Sequence, residues 1–318
     1  MNQNQTRNFC CFYGADGQKL HAVHYKANKS RGIVLLVHGR NELNLKYEET
    51  CIELMNLGMD VYAYDHRFQG FNSRPYPDKE VCHIDSFMTY VADLDRVINQ
   101  LPKGYPLFIM AVSMGGAVTL LYLMHNRAPE ALVGAIFVSP LIQPIYPHNP
   151  CLIHAYARFK YWLDSILLNK AKPLYHSKEI FKPRIFGVNA NTHDEQKHNK
   201  YFALYEQYPQ CRSGMASASW ILALQKAVAE LAHSKLEFKI PTLFLLGTDD
   251  KVVDPKATEK FVTLHDTDPV PPILYRFGEC YHDILIEHED IRRCVLGCLE
   301  NFIQGTMRQR LTRLNKDA

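Results

Sequence analysis

Short apolar runs alternate with helical periods along most of this chain, and that alternation limits the folds open to it. Residues 33–37 and 61–64 are apolar throughout, which is how a strand reads when both faces of its sheet are covered. Further strands are expected at 107–112, 132–138, 242–246 and 273–277. Helical spacing fills the gaps, at 47–57, 87–101, 114–125, 255–264 and 290 to about 303. Strand followed by helix, repeated, implies an α/β architecture with a mainly parallel central sheet flanked by helices. Residues 9–13 and 20–25, separated by Gly14, Asp16 and Gly17, read as a hairpin that adds antiparallel strands at one edge.

The alternation stops between 141 and 239. That stretch is rich in Tyr, His and helical patterns, and it holds no convincing buried strand. It is expected to be a helical cap inserted into a core of 1–140 and 240–306, on the side of the sheet where open α/β folds bind ligands. A basic tail, 307–318, follows the core.

A net charge of +3, with no basic run interleaved with aromatics, argues against a nucleic-acid partner. The polar N-terminus lacks the apolar core of a signal peptide, and no segment approaches the ~18 apolar residues of a membrane span. Nine scattered cysteines without a C-x-x-C pair suggest a reducing, cytoplasmic setting and no metal site.

The motif richest in chemistry is Ala111-Val112-Ser113-Met114-Gly115-Gly116, between an expected strand and an expected helix. It is a variant of the G-x-S-x-G nucleophile elbow, with Ala111 replacing the first glycine. Small flanks are needed because the serine sits on a tight, strained turn. A serine hydroxyl is a poor nucleophile until an imidazole takes its proton. On this architecture the partners follow in the order serine, acid, histidine. The strand ending at Gly247 runs into Thr248-Asp249-Asp250, and Asp250 is preferred over Asp249 for its spacing from Gly247. Asp254 suits the cap of the helix that starts at Pro255. His282 follows the last strand and so falls on the same rim, whereas its competitor His38 ends an early strand. The loop His38-Gly39-Arg40-Asn41-Glu42 then fits an oxyanion hole, with the backbone N–H groups of Arg40 and Met114 as donors. One such donor is typically worth ~2.7–4 kcal/mol to a transition state.

With these segments in hand, the chain resembles the α/β-hydrolase branch of bacterial lysophospholipases and monoacylglycerol lipases, a serine aminopeptidase-like family. The similarity runs from about Gly32 to Ile303. It is carried by the loop 38–42 with Lys46-Tyr47, Asp65-His66-Arg67 with Gln69-Gly70, and Ser113-Met114-Gly115-Gly116. Lys251-Val252-Val253-Asp254 and Tyr281-His282-Asp283-Ile284-Leu285 also match, as do Thr192-His193, Tyr201 and 217–220 inside the insertion. Val112 stands where many relatives have histidine, and Phe68 where they often have glycine.

The resemblance implies an α/β-hydrolase fold and a serine hydrolase needing no cofactor. Its expected substrate is a single-chain acyl ester, with lysophospholipid preferred and monoacylglycerol or a short ester as neighbours. Residues 153–163, extended by Ile166, Leu167 and Leu168, combine apolar side chains with Arg158 and Lys160. They suit a cap helix whose Tyr156, Phe159 and Trp162 face an acyl chain and whose basic residues touch the inner face of a membrane. Burying an acyl chain contributes ~0.8 kcal/mol per CH₂. Rival readings are a peptidase or carbon–carbon hydrolase on the same three residues, and a non-catalytic lipid-binding protein on the same fold.

Overall fold

The computed structural model describes residues 7–317 apart from 77, 126–127, 168–171, 175–180, 182–184, 189–190 and 234–235. Its strands are β1 (Asn8–Tyr13), β2 (Lys19–Tyr25), β3 (Gly32–Val37), β4 (Met59–Tyr64), β5 (Leu107–Val112), β6 (Leu132–Val138), β7 (Thr242–Gly247) and β8 (Ile273–Phe277). They form one sheet in the order β1-β2-β4-β3-β5-β6-β7-β8. The β1–β2 hairpin joins β4 antiparallel, and every later pairing is parallel. The helices are α1 (Glu48–Asn56), α2 (Phe87–Gln100), α3 (Met114–His125), α4 (Pro150–Ile166), α5 (Glu195–Gln207), α6 (Ala218–Ala232), α7 (Pro255–Thr263) and α8 (Glu289–Asp317).

The period of two in each strand divides the apolar interior into two layers. Ile33, Leu35, Val37, Ile109 and Ala111 pack with α2, α3, α6 and α7 on one face. Val34, Leu36, Phe108, Met110 and Val112 pack with α1 and α8 on the other. All six residues of β3 and of β5 are therefore buried, which is why these strands read as unbroken apolar runs. Parallel pairing also brings the C-terminal ends of β3, β5, β6, β7 and β8 to one rim.

Between β6 and β7 the chain runs through α4, α5 and α6. Side-chain oxygens of Asn149, Asp194 and Ser217 cap these helices at their N-termini. The last helix continues to Asp317 instead of ending near Ile303. Gly305 alone is a weak stop, and the Met, Gln, Arg and Leu residues after it favour helix, so the basic tail extends α8. Among the described residues, no helix is long and apolar enough to cross a membrane.

Candidate active site

The turn from β5 into α3 holds Ser113 at φ +50°, a left-handed conformation that a non-glycine residue keeps only where its surroundings impose it. They do so closely. A Cβ on Gly115 would lie 2.0 Å from the carbonyl oxygen of Val37, so only glycine lets the start of α3 rest on the end of β3. Gly247 has the same use at the end of β7. A Cβ there would stand 2.4 Å from the carbonyl oxygens of Cys280 and Tyr281. The loop after β8 is thereby drawn over the rim, and it carries His282.

Ser113, His282 and Asp250, each buried, meet there. Ser113 Oγ lies 2.9 Å from His282 Nε2, and His282 Nδ1 lies 2.6 Å from Asp250 Oδ2. With Nδ1–H donating to the carboxylate, Nε2 is free to accept the serine proton. The other oxygen of Asp250 accepts the backbone N–H groups of Val252 and Val253, at 2.7 and 3.0 Å, which fixes the acid itself. Asp249 is exposed and faces Lys251, and Asp254 caps α7. His38 is buried, with Nδ1 2.7 Å from the carbonyl oxygen of Gly39 and Nε2 3.4 Å from Asp65, and it takes no part in the Ser113 contact.

Burial disfavours charge on His282, but the carboxylates of Asp250 and then Asp283 outweigh it and hold the imidazole pKa above its ordinary value. Lys46 acts in the opposite direction, against the protonated imidazole.

Arg40 and Met114 occupy the loop after β3 and the first residue of α3. Met114 N–H belongs to the first turn, where a helix offers no acceptor of its own. The loop is pinned on both sides of Arg40. Gly39 N–H donates to Glu42 at 2.6 Å, and Asn41 N–H donates to Gln69 Oε1 at 2.7 Å. The Arg40 side chain turns away from the loop, donating to the Gly214 carbonyl at 3.1 Å and lying 5.1 Å over the Trp220 ring.

Behind this loop is a buried ionic cluster that the sequence motifs contain without revealing. Lys46 bonds Glu42 and, at 2.9 Å, Asp283, the neighbour of His282. Asn191 completes it, donating to Asp283 at 3.1 Å. Burial alone would neutralise Lys46, yet Asp283 and Glu42 keep its pKa raised, and Lys46 in turn keeps that of Asp283 low. One ammonium thus ties the oxyanion-type loop to the histidine loop. The partners are 237 residues apart in sequence, so no local pattern could have announced the pairing.

The structure corrects one expectation for α4, that of Lys160. Tyr156, Phe159 and Trp162 are exposed, and Phe159 and Trp162 each keep more than half their surface (56% and 58%). Lys160, expected at a membrane surface, is buried and bonds Asp164 at 2.6 and 2.7 Å. The reason is helical phase: Ile153, Ala157, Lys160 and Asp164 share the inward face, which leaves the aromatics outside. Leu168 lies outside the described residues. Among the described residues, no group of three or more His, Cys, Asp or Glu could hold a metal ion.

The serine aminopeptidase S33 family model matches residues 28–289. The chain belongs to that family. It is 26% identical over 304 residues to lysophospholipase L2 of Escherichia coli K12, covering 92% of this chain and 86% of that one. To the monoglyceride lipase of Mus musculus it is 24% identical over 294 residues, covering 91% and 88%. In structure it is similar to a soluble variant of monoglyceride lipase from Saccharomyces cerevisiae, with a TM-score of 0.74 at 21% identity over 96% and 97% of the two chains. A carboxyl esterase from Bacillus coagulans superposes with a TM-score of 0.72 at 18% identity over 95% and 99%. These likenesses place the chain in the α/β-hydrolase fold.

Proposed function

We propose that this S33 family member is a serine carboxylic ester hydrolase acting on single-chain lipid esters, with lysophospholipid its preferred substrate. The observation that carries the reaction type is the buried relay Ser113–His282–Asp250, with contacts of 2.9 and 2.6 Å. Ser113 Oγ attacks the ester carbonyl while His282 Nε2 takes its proton. The oxyanion accepts the N–H groups of Arg40 and Met114. His282 then gives its proton to the leaving alcohol, and next takes one from the water that releases the fatty acid. Asp250 holds the imidazole tautomer and stabilises the cation formed.

Two observations support a lipid over a peptide. Relatives that align over most of both chains are named lysophospholipase and monoglyceride lipase. On α4, the exposed Leu152, Tyr156, Phe159, Trp162 and Ile166 lie to one side, beside the exposed Arg158. We infer that this stripe rests on a lipid surface: aromatic rings suit the interface and a cation favours anionic head groups.

A substrate panel tests the reading. Wild type and Ser113→Ala are assayed on lysophospholipid, monoacylglycerol, nitrophenyl ester and aminoacyl anilide. The expected order of kcat/KM places lysophospholipid first and anilide last, with turnover lowered at least about 10⁴-fold in Ser113→Ala. Faster cleavage of the anilide would replace the ester reading with a peptidase. Lipid binding without any turnover would leave a binding protein.

A further inference from the structure

The end of β6 touches both members of the nucleophile–base pair, although it contributes no reacting atom. Val138 accepts the N–H of Ser113 at 3.0 Å, and Leu141 N–H donates to the Ser113 carbonyl at 2.9 Å. Between them stands Ser139. Its N–H donates to the carbonyl of Leu245 in β7 at 2.8 Å. Its hydroxyl donates to the carbonyl oxygen of His282 at 2.7 Å. This one residue therefore joins the elbow's neighbouring strand, the strand that leads to Asp250, and the main chain of the base.

The backbone conformation points the same way. Ser139 has φ +43°, and with Ser113 it is one of five described non-glycine residues in the left-handed region. It is also almost fully buried. Strain of this kind persists only where surrounding contacts over-determine it, and it gathers at functional sites. A residue continuing the extended strand would direct its side chain by the sheet's alternation. The left-handed turn instead releases Ser139 from that alternation and aims its hydroxyl at the histidine loop.

We propose that Ser139 is a positioning residue of the hydrolytic reaction, holding the base against the nucleophile by donating to the His282 main-chain carbonyl. This rests on the catalytic reading of Ser113 and His282. It differs from a purely structural role, in which the hydroxyl would only satisfy a buried carbonyl.

Ser139→Ala removes the hydroxyl alone, and Ser139→Gly removes it while relieving the left-handed strain. Both are assayed on a soluble nitrophenyl ester, with rates normalised to sites titrated by a fluorophosphonate, so that misfolded protein does not count. Small misplacements of catalytic groups cost up to about 100-fold. The expected outcome is a kcat about 10- to 100-fold lower in both variants, with KM within about twofold of wild type.

The pH profile is the second readout. The charged groups facing His282 are Asp250 from the loop after β7, Asp283 on its own loop, and Lys46 ahead of α1. A base that drifts from Asp250 loses the carboxylate that favours its protonated form, so the midpoint of kcat against pH should move down. Unchanged kcat and midpoint, with only a lower Tm, would overturn the proposal and leave Ser139 structural. A Ser113→Ala enzyme that kept full turnover would instead remove the catalytic reading beneath it, so the two failures are distinguishable.

Discussion

The rim of the sheet and the helix α4 dispose of their polar and apolar groups in opposite ways. At the rim, Ser113, Asp250 and His282 are buried, and each is tied to main chain or to another side chain. On α4 the ion pair Lys160–Asp164 is inside, while Phe159, Trp162 and Ile166 face out. The rim is finished by the protein alone, so its geometry exists before any substrate arrives, as electrostatic catalysis requires. The outer face of α4 leaves apolar area for something else to cover. The buried rim and the exposed face of α4 are thus separate in the structure, and variants can be chosen that alter one without the other.

The largest effect should come from the rim. Ser113→Ala is expected to lower kcat by about 10⁴- to 10⁶-fold, because the remaining groups supply only binding and oxyanion stabilisation. A fluorophosphonate should no longer label the protein, while its circular dichroism is retained. Persistent labelling would put the nucleophile elsewhere and dissolve the contrast with α4. Asp250→Asn should cost about 10⁴-fold, since an amide in that place disfavours the imidazole tautomer that can accept the serine proton.

Next comes the ionic cluster behind the rim. Lys46→Met leaves Glu42 and Asp283 buried without their cation, a change that typically costs about 3–5 kcal/mol. Urea unfolding measures it. A loss below about 1 kcal/mol would mean that the loops bearing Gly39 and His282 are not held by this ammonium.

The same division decides what the sequence could disclose. Strands 107–112, 132–138 and 273–277 were legible to the residue because each ends where an apolar run meets a turn. The places of Ser113, Asp250 and His282 followed, because each comes just after such a run. Ser139 was not legible: a Ser-Pro pair after a strand looks like any strand end, and a positive φ leaves no mark when the residue is not glycine. The contact of Lys46 with Asp283 arises from tertiary folding, not from spacing. On α4, apolar residues occur on both faces, so periodicity showed a helix without showing which side turns inward. Phe68 is likewise left-handed, at φ +63°, a conformation that suits glycine better than phenylalanine and that its aromatic side chain does not announce.

The pH dependence separates chemistry from stability. An unperturbed imidazole would set the activity midpoint near ~6.5. The carboxylates of Asp250 and Asp283 raise the pKa of His282, so half-maximal kcat is expected above that value. Two pH units below the midpoint, activity should be about 100-fold lower, because only neutral imidazole accepts the serine proton. The stability term runs in the other direction. A group with a raised native pKa stabilises the fold fully below its unfolded value of ~6.5, and that contribution is lost as pH rises through the native value. Activity should therefore rise over the same window in which this contribution to Tm falls. In Asp250→Asn the residual activity should have a lower midpoint, and a flat profile from pH 5 to 8 in the wild type would exclude imidazole as the base.

The smallest expected effect lies on α4, and it is the one that most sharpens the comparison. Phe159 is 56% exposed, so removing its ring should change the stability of the protein in water by no more than about 0.5 kcal/mol. At a lipid surface the same ring would be partly buried, at about 25 cal/mol per Å². Losing about 1 kcal/mol of that burial weakens binding by roughly fivefold. Phe159→Ala should accordingly sediment less with anionic vesicles and hydrolyse vesicle-borne lysophospholipid more slowly at limiting lipid, with kcat on a soluble short ester unchanged. Two results would redraw the boundary between the regions. An equal rise in KM for a monomeric long-chain ester would place Phe159 against the acyl chain, making α4 part of the substrate site. Unaltered vesicle binding would mean that the apolar stripe is covered by something other than lipid.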